Sequence, residues 1–499
     1  MNEVRKLAGQ TMIYGLGTIV PRFLHYAVMT PFYTRIFVNT GDYGIITEMY
    51  AWIVLLLVIL TYGMETGYFR FSQKSHEDPD KVYSTAIISL LISSLIFVAA
   101  VNVFIEPVSS FMNYPENRDY IRMFAGIVAI DAFAAVPFAR LRKENRAVTF
   151  SIIKLINVII TIVLVVFLLK LAPTIWENSS GWFRRVYDPE YKVGYVFAAN
   201  LISSGATLIM LIPVIFKARL VFVYSLWTRM MTYSIPLLLA GLSGTVNDVL
   251  DKVILRRMIG EETGHAVVGI YGAAYKIGVL MALFIQMFRF AAEPFFFERA
   301  GRPDAKETYS FVMKYFIIIM LGIYMFLNLY LTIIQNIVPL NYQEAINIVP
   351  IISMAYLLYG IYVNHSIWFK ITDKTKYAVY ISLIGVVITV AINVMLIPVY
   401  GYMAAAWAHI AAYGAMIAVS FAFAENNYKV DYNLKQIIPY FIMAVAMVIF
   451  ARVFSYKNIA EEIVVNTFMI ILFILYAQKR DKVITMILRK PAKVQNSEK

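Results

Sequence analysis

Apolar runs of about 18–25 residues, separated by short polar breaks, recur from one end of the chain to the other. Twenty residues of α-helix at 1.5 Å each cover about 30 Å, the thickness of a hydrocarbon core. Read this way, the pattern predicts fourteen spans, near 8–33, 43–68, 83–105, 121–139, 147–169, 193–216, 231–255, 266–297, 311–334, 346–369, 377–398, 402–424, 436–454 and 461–478. The longest break, 170–192, leaves no room for an inserted soluble domain. The expected fold is an all-α polytopic membrane protein.

Composition agrees: of 499 residues, 60% are hydrophobic and 15% charged, against about a quarter charged in soluble domains. There is no cysteine, so neither a disulfide framework nor a thiolate metal site is available. The apolar stretch of the first span is too long for a cleaved signal and lacks a convincing cleavage site, so it is expected to stay in place. A net charge of +13 would suggest nucleic acid, but the Lys and Arg lie in short loops beside spans. With the N-terminus inside, inner segments hold 28 of them, outer segments 11 and the spans 5. That asymmetry is the positive-inside pattern, so both termini are expected in the cytoplasm and no nucleic-acid partner is expected.

A weak repeat links the two parts of the chain. Gly44-Ile45 is followed by Tyr50 and then by Glu65-Thr-Gly-Tyr-Phe-Arg70; Gly269-Ile270 is followed by Tyr275 and then by Glu293-Pro-Phe-Phe-Phe-Glu298. Two parallel six-span units fit this spacing. They divide the chain into 1–220, 221–426 and a terminal pair of spans with a basic tail, 427–499.

Charges buried in spans carry the functional reading. Arg22 lies about 16 Å from the boundary at Tyr33, near the bilayer midplane, and arginine cannot shed its charge there. Lys276 lies about 15 Å from the boundary near Ala266. If the two repeat units face each other, these cations meet without an acid in the same helical turn, an arrangement suited to a phosphate or diphosphate. A structural ion pair competes with this reading; for Lys276 the candidate partner is Asp131. Asp248 and Lys252 are spaced i, i+4, the favourable helix pairing, beside Asn247 and Asp251. With Asn393 at similar depth, this group suits a coupling Na⁺ or H⁺, or equally an interhelical salt-bridge cluster; Asp131 is a further relay candidate. Glu65 with Arg70, and Arg289 with Glu293, read as gate or structural pairs. Glu48 reads as solvated. His25, His365 and His409 read as packed histidines, with His25 also near enough to Arg22 to join a binding site.

No GxxxxGK[ST], HExxH, GxSxG or Cys/His cluster occurs, so neither an enzyme nor an ATPase is expected, and no cofactor or metal centre. Asp78-Pro-Asp80 matches the DxD of metal-dependent glycosyltransferases but lacks a nucleotide-binding fold around it.

The segments LAGQTMIYGLGTIVPRF, TPFYTRIF, DYGIITEMYA and LTYGMETGYFRF resemble the bacterial polysaccharide-biosynthesis flippases. These are the O-antigen (Wzx-type) transporters, in the superfamily that also holds MATE drug exporters and the lipid II flippase. The likeness is strongest over 7–75. It implies two six-helix bundles around a central cavity plus two C-terminal helices. It also implies a substrate, an oligosaccharide on undecaprenyl diphosphate turned from the cytoplasmic to the periplasmic leaflet of the inner membrane. Polysaccharide polymerase and chain-length proteins are the implied partners, besides membrane lipids. By helix and depth, Arg22 and Lys276 match cationic cavity residues of the lipid II flippase. Asp248 and Asn393 match its sodium site on helices 7, 11 and 12, to which helix 12 here would add Ser420. An ion-coupled drug exporter is the first alternative, disfavoured because cationic drugs want an acidic cavity; a membrane glycosyltransferase or ligase is the second, disfavoured by the short loops.

Overall fold

The computed structural model describes residues 19–482 apart from 22, 73–76, 145, 218–220 and 373. Among these residues every regular element is a helix. The first half runs α1 (Thr30–Ile36), α2 (Thr40–Thr61), α3 (Met64–Phe71), α4 (Pro79–Val103), α5 (Arg118–Lys143), α6 (Ala147–Val166) and α7 (Lys192–Ile215). The second runs α8 (Tyr224–Ile259), α9 (Glu261–Gly278), α10 (Leu280–Arg299), α11 (Ala305–Leu329), α12 (Val349–His365), α13 (Ile367–Ile371), α14 (Lys376–Tyr400) and α15 (Tyr402–Asn427). Two more, α16 (Leu434–Val453) and α17 (Ile459–Asp481), close the chain, with shorter helical turns in between.

Among the described residues eleven helical segments are long and apolar enough to cross a membrane, and the bent pair α9–α10 makes twelve. The fourteen expected spans are not all met. The first, 8–33, lies partly outside the described residues, which take it up at Ile19, and the seventh, α8, is a 36-residue helix whose Ser, Thr and charged residues dilute its hydropathy. The 170–192 break is largely helical: α6 continues through a π-turn at Phe167–Leu171 and a short helix to Glu177.

Local chemistry sets the boundaries. The Asn39 side chain accepts the Gly41 N–H at 2.9 Å and opens α2. Asp78 does the same for Asp80, with Pro79 in the first helical position of α4, as N-caps do. Asp80 also takes Arg140 at 3.0 Å, so the DxD match is used up structurally. Gly260 (φ +102) and Gly401 (φ +54) make the tight turns from α8 to α9 and from α14 to α15, conformations that a side chain would strain.

Apolar side chains of the first half form two packed clusters, one around Phe124 and Phe197 and one around Tyr83 and Phe138. The second half shares a larger cluster around Phe316 and Met325. Helix α8 belongs to both halves, packing Leu226 and Met230 on the Tyr83 cluster and Leu255 on the larger one. Asp481 ties α17 to its neighbours, accepting from Lys314 on α11 and Tyr440 on α16.

The two halves meet most tightly along α2 and α9, and the repeat seen in the sequence explains how. A Cβ on Gly44 would lie 1.8 Å from the His265 carbonyl oxygen, and one on Gly269 would lie 2.0 Å from that of Thr40. His265 precedes Gly269 by four residues, as Thr40 precedes Gly44, so equivalent residues of the two repeats touch across a local two-fold axis. A Cβ on Gly272 would meet Thr47 at 2.7 Å. Small residues let helix backbones approach this closely where lipid offers no hydrophobic drive for association.

Candidate functional site: a cationic cavity between the halves

Below that contact the halves separate around a cavity of about 620 Å³. Its first-half wall comes from Pro21, Tyr26, Thr30 and Tyr33 and from Tyr43, Thr47, Tyr50 and Val54 of α2. Its second-half wall comes from Asp248 and Lys252 of α8, Tyr275, Lys276, Gln286 and Arg289 of α9 and α10, and Tyr356 and Tyr359 of α12. Arg22 lies outside the described residues, as does the side chain of His25; the backbone of His25 opens a five-residue π-helix.

Lys276 is at the cavity wall, with its ammonium 4.5 Å from the centre of the Tyr26 ring. No carboxylate pairs with it among the described residues. Asp131, its competing partner, is elsewhere: it accepts from Ser204 at 2.9 Å, close to Lys154. That position is within the first half and apart from the Asp248 group, so the structure does not bring the four relay candidates together.

The i, i+4 pair is also rearranged. Lys252 bonds the Asp251 carboxylate at 2.9 Å and reaches only the backbone carbonyl of Asp248, at 3.0 Å. It also sits 3.7 Å from the centre of the Tyr275 ring. Asp251 is fully buried and saturated, accepting from Tyr271 at 2.5 Å and facing His409 Nε2 at 3.1 Å. The Asp248 carboxylate instead takes Tyr413 at 2.6 Å, and it lines the cavity. His409, expected as packing, is therefore part of the ionic group. His365 does pack, stacked on Phe421 with its Nδ1 2.8 Å from Ser420. That contact, with Trp368 at 3.2 Å, occupies Ser420, so α15 contributes His409 and Tyr413 to the group instead. Asn393 is fully buried, and neither side-chain polar atom has a partner among the described residues. One turn earlier on α14, Thr389 donates to Asn247 at 2.8 Å. No group of three or more His, Asp or Glu among the described residues is arranged to hold a metal.

The expected gate pairs form across helices rather than along them. Glu65 pairs with Arg142 on α5, and Arg70 stacks over Tyr233 at 4.0 Å. Glu293 pairs with Lys370 on α13 at 2.5 Å, while Arg289 faces the cavity. Glu48 is 2% exposed rather than solvated. It accepts from Tyr114 at 2.7 Å and lies 3.9 Å from Arg256 and 3.7 Å from His265, directly beside the Gly44–Gly269 contact. None of the cavity tyrosines is a candidate site residue in the sequence reading. On α2 their signal was present, since Tyr43, Thr47, Tyr50 and Val54 recur at helical spacing.

The described residues thus form an all-helical bundle of membrane-crossing helices around a cavity lined by Lys276, Lys252 and Arg289. The chain matches the family described as polysaccharide biosynthesis protein over residues 7–299 and belongs to it. No curated protein sequence matches it. Among solved structures, it is similar to the lipid II flippase MurJ in an inward closed conformation: 13% identity, TM-score 0.67, covering 94% of this chain and 99% of that one. It is also similar to a MATE transporter in the straight conformation, at 14% identity and TM-score 0.59, over 84% of this chain and 95% of that one. A multidrug resistance MATE family transporter in an outward-facing conformation matches with TM-score 0.57, at 14% identity over 84% of this chain and 94% of that one. At these identities the likeness concerns the fold.

Proposed function

We propose that this protein is a secondary flippase that turns an oligosaccharide on undecaprenyl diphosphate from the cytoplasmic to the periplasmic leaflet by alternating access. The observation that carries this reading is Lys276: a cation on the wall of a large cavity, near the expected mid-bilayer depth, paired with no carboxylate among the described residues. Leaving such a charge unneutralised costs several kcal/mol unless an anion arrives to use it. A diphosphate is the anion that members of a polysaccharide-biosynthesis family would present. The cavity tyrosines offer ring faces and hydroxyls to the sugars, while the prenyl tail stays in lipid. Arg22, which follows the cavity-lining Pro21 in the sequence, is assigned to the same headgroup.

Both termini are placed in the cytoplasm of a bacterial inner membrane, so the α2–α9 contact closes the periplasmic side. The coupling ion is assigned as the proton, at Asp248: this carboxylate lines the cavity and is not the one that Lys252 neutralises. Sodium is the runner-up, for the unpartnered oxygen of Asn393. The protein acts without a cofactor or chemistry of its own and serves a polymerase and chain-length system.

Flipping of a lipid-linked oligosaccharide in proteoliposomes tests the assignment. Lys276→Gln is expected to slow it about 10- to 100-fold, the range for a lost hydrogen bond to a charged group, and Lys276→Arg to restore much of it. Undiminished flipping by the glutamine variant would remove the basis of the reading.

A further inference from the structure

Each half of the protein sends one connecting segment across to the other. Between α11 and α12 the chain turns through 3₁₀ helices at Gln335–Ile337, Leu340–Tyr342 and Glu344–Ile348. Gln343 fixes this path by donating to the Gln335 and Val338 carbonyls at 3.2 and 2.8 Å. Val338 and Tyr342 pack outside their own half, in the cluster that holds Tyr33, Phe37 and Tyr43. The Tyr342 ring meets that of Tyr43 edge-on at 5.8 Å, and its hydroxyl donates to the Phe37 carbonyl at 2.6 Å. Asn341 donates its amide to the Val38 carbonyl at 2.8 Å. Both acceptors lie where α1 has ended, so the helix itself supplies them with no donor.

The first half does the reverse. Between α4 and α5 the chain forms a short helix, Ile105–Met112, and its Phe111 carbonyl accepts from Arg257 at 2.9 Å. The same guanidinium lies 4.4 Å from the centre of the Phe111 ring. Arg257 is in the last turn of α8, just before Gly260 turns the chain into α9. Tyr114, buried as Tyr342 is, sets its ring 5.4 Å from that of His265 on α9. The repeat makes α9 the counterpart of α2, so the turn from α8 to α9 corresponds to the turn from α1 to α2. Each connecting segment therefore grips the equivalent turn of the opposite half, which extends the two-fold relation of Gly44 and Gly269 beyond the helices themselves.

Resting on the flippase reading above, which puts both segments on the periplasmic side, we propose that 335–348 and 104–117 are reciprocal straps that hold that mouth shut and release when substrate leaves. The seam of α2 and α9 is held by close packing, and such contacts weaken sharply within about an ångström of separation. Hydrogen bonds to carbonyls at a helix end add direction. Their donors and acceptors return to water when a strap lifts, so each costs little to break. Closure is thus firm against small motions and still reversible.

The chain has no cysteine, so a strap can be locked chemically. Val38 and Leu340 are 78% and 83% exposed beside the Asn341–Val38 bond. Joining Val38→Cys to Leu340→Cys with a short, reducible bis-methanethiosulfonate reagent is expected to stop flipping in proteoliposomes, and reduction to restore it. Each single-cysteine variant should be indifferent to the reagent. Full-rate flipping by the joined protein would overturn the proposal. A second measurement needs no substrate. Tyr342→Phe keeps the ring and loses the hydroxyl. It should speed the labelling of Thr47→Cys by an impermeant thiol reagent outside spheroplasts about 2- to 10-fold, the range for one neutral hydrogen bond. Arg257→Gln should act in the same direction, and because the two straps share no partner their effects should multiply. Val363→Cys, on the cavity wall near the other end of α12, should label no faster in inside-out vesicles. Unchanged labelling at Thr47→Cys would also overturn the straps, as would faster labelling at both positions, which means loosened packing. Labelling as expected, from a protein that flips no lipid-linked oligosaccharide even when unjoined, would leave the straps standing and remove the flippase reading.

Discussion

Asp251 and Asp248 lie one helical turn apart and have been given different tasks by their neighbours. Asp251 is saturated by Lys252, Tyr271 and His409 in a fully buried position. Removing its charge leaves an ammonium buried without a counter-ion, which costs about 3–5 kcal/mol. Asp251→Asn is therefore expected to lower the thermal midpoint in detergent strongly, and Asp251→Asn with Lys252→Met to recover most of it. The Asp248 carboxylate holds a single short bond, from Tyr413, and leaves Lys252 paired when it is changed. Asp248→Asn should thus cost little stability. An equal loss from both single variants would show that the two acids share the Lys252 charge. The i, i+4 rule pointed to the wrong acid because it considers one helix alone; the hydroxyl that claims Asp248 comes from α15, 165 residues along the chain.

At the scale of elements, the contact of α2 with α9 decides how the halves can move. Gly44 and Gly269 face backbone carbonyls with no room for a methyl group, so an added Cβ must push two backbones apart rather than turn a side chain. Gly269→Ala is expected to weaken this seam and favour states open at the periplasmic end. Its measure is labelling of a cysteine replacing Thr47, which lines the cavity at the seam, in a chain otherwise free of cysteine. An impermeant thiol reagent outside spheroplasts should react faster with Thr47→Cys when Gly269→Ala is present; unchanged labelling would show that this seam does not limit access. Glu48 with His265 links the same two helices, and with Arg256 it also reaches α8, beside these glycines. The spans themselves were legible in the sequence because a bilayer demands uninterrupted apolar length, and the glycine repeat was legible as a pattern. Its meaning was not, since the symmetric touch of Gly44 and Gly269 exists only once the halves are docked. The burial of Glu48 was hidden for the same reason: Tyr114 and Arg256 reach it from other helices. The break at Val279 had no proline to announce it, and α8 lost its apolar signature to the polar group it carries.

For the whole molecule, flipping against or without a gradient must be linked to the swing between the two openings of the cavity. A coupling group has to be reachable from the cavity, change charge, and contact more than one moving element. Asp248 meets these conditions: it lines the cavity, carries a carboxylate, and sits on α8, which packs on both halves. Its partner Tyr413 and the nearby Tyr356, whose hydroxyl is 3.5 Å away, belong to α15 and α12. A proton arriving at Asp248 would remove a negative charge from the wall of the cavity that Lys276 also lines, leaving a more positive cavity for an incoming diphosphate. Protonation and substrate binding should therefore help each other, and by linkage each raises the affinity for the other. In proteoliposomes, an imposed proton gradient is expected to change the flipping rate of the wild type, a sodium gradient alone should not, and Asp248→Asn should respond to neither. Because the asparagine mimics the protonated carboxyl, that variant should still flip substrate down its own gradient. A wild-type rate that follows sodium and is lost on Asn393→Ala would move the coupling site from Asp248 to the amide cluster of α8 and α14.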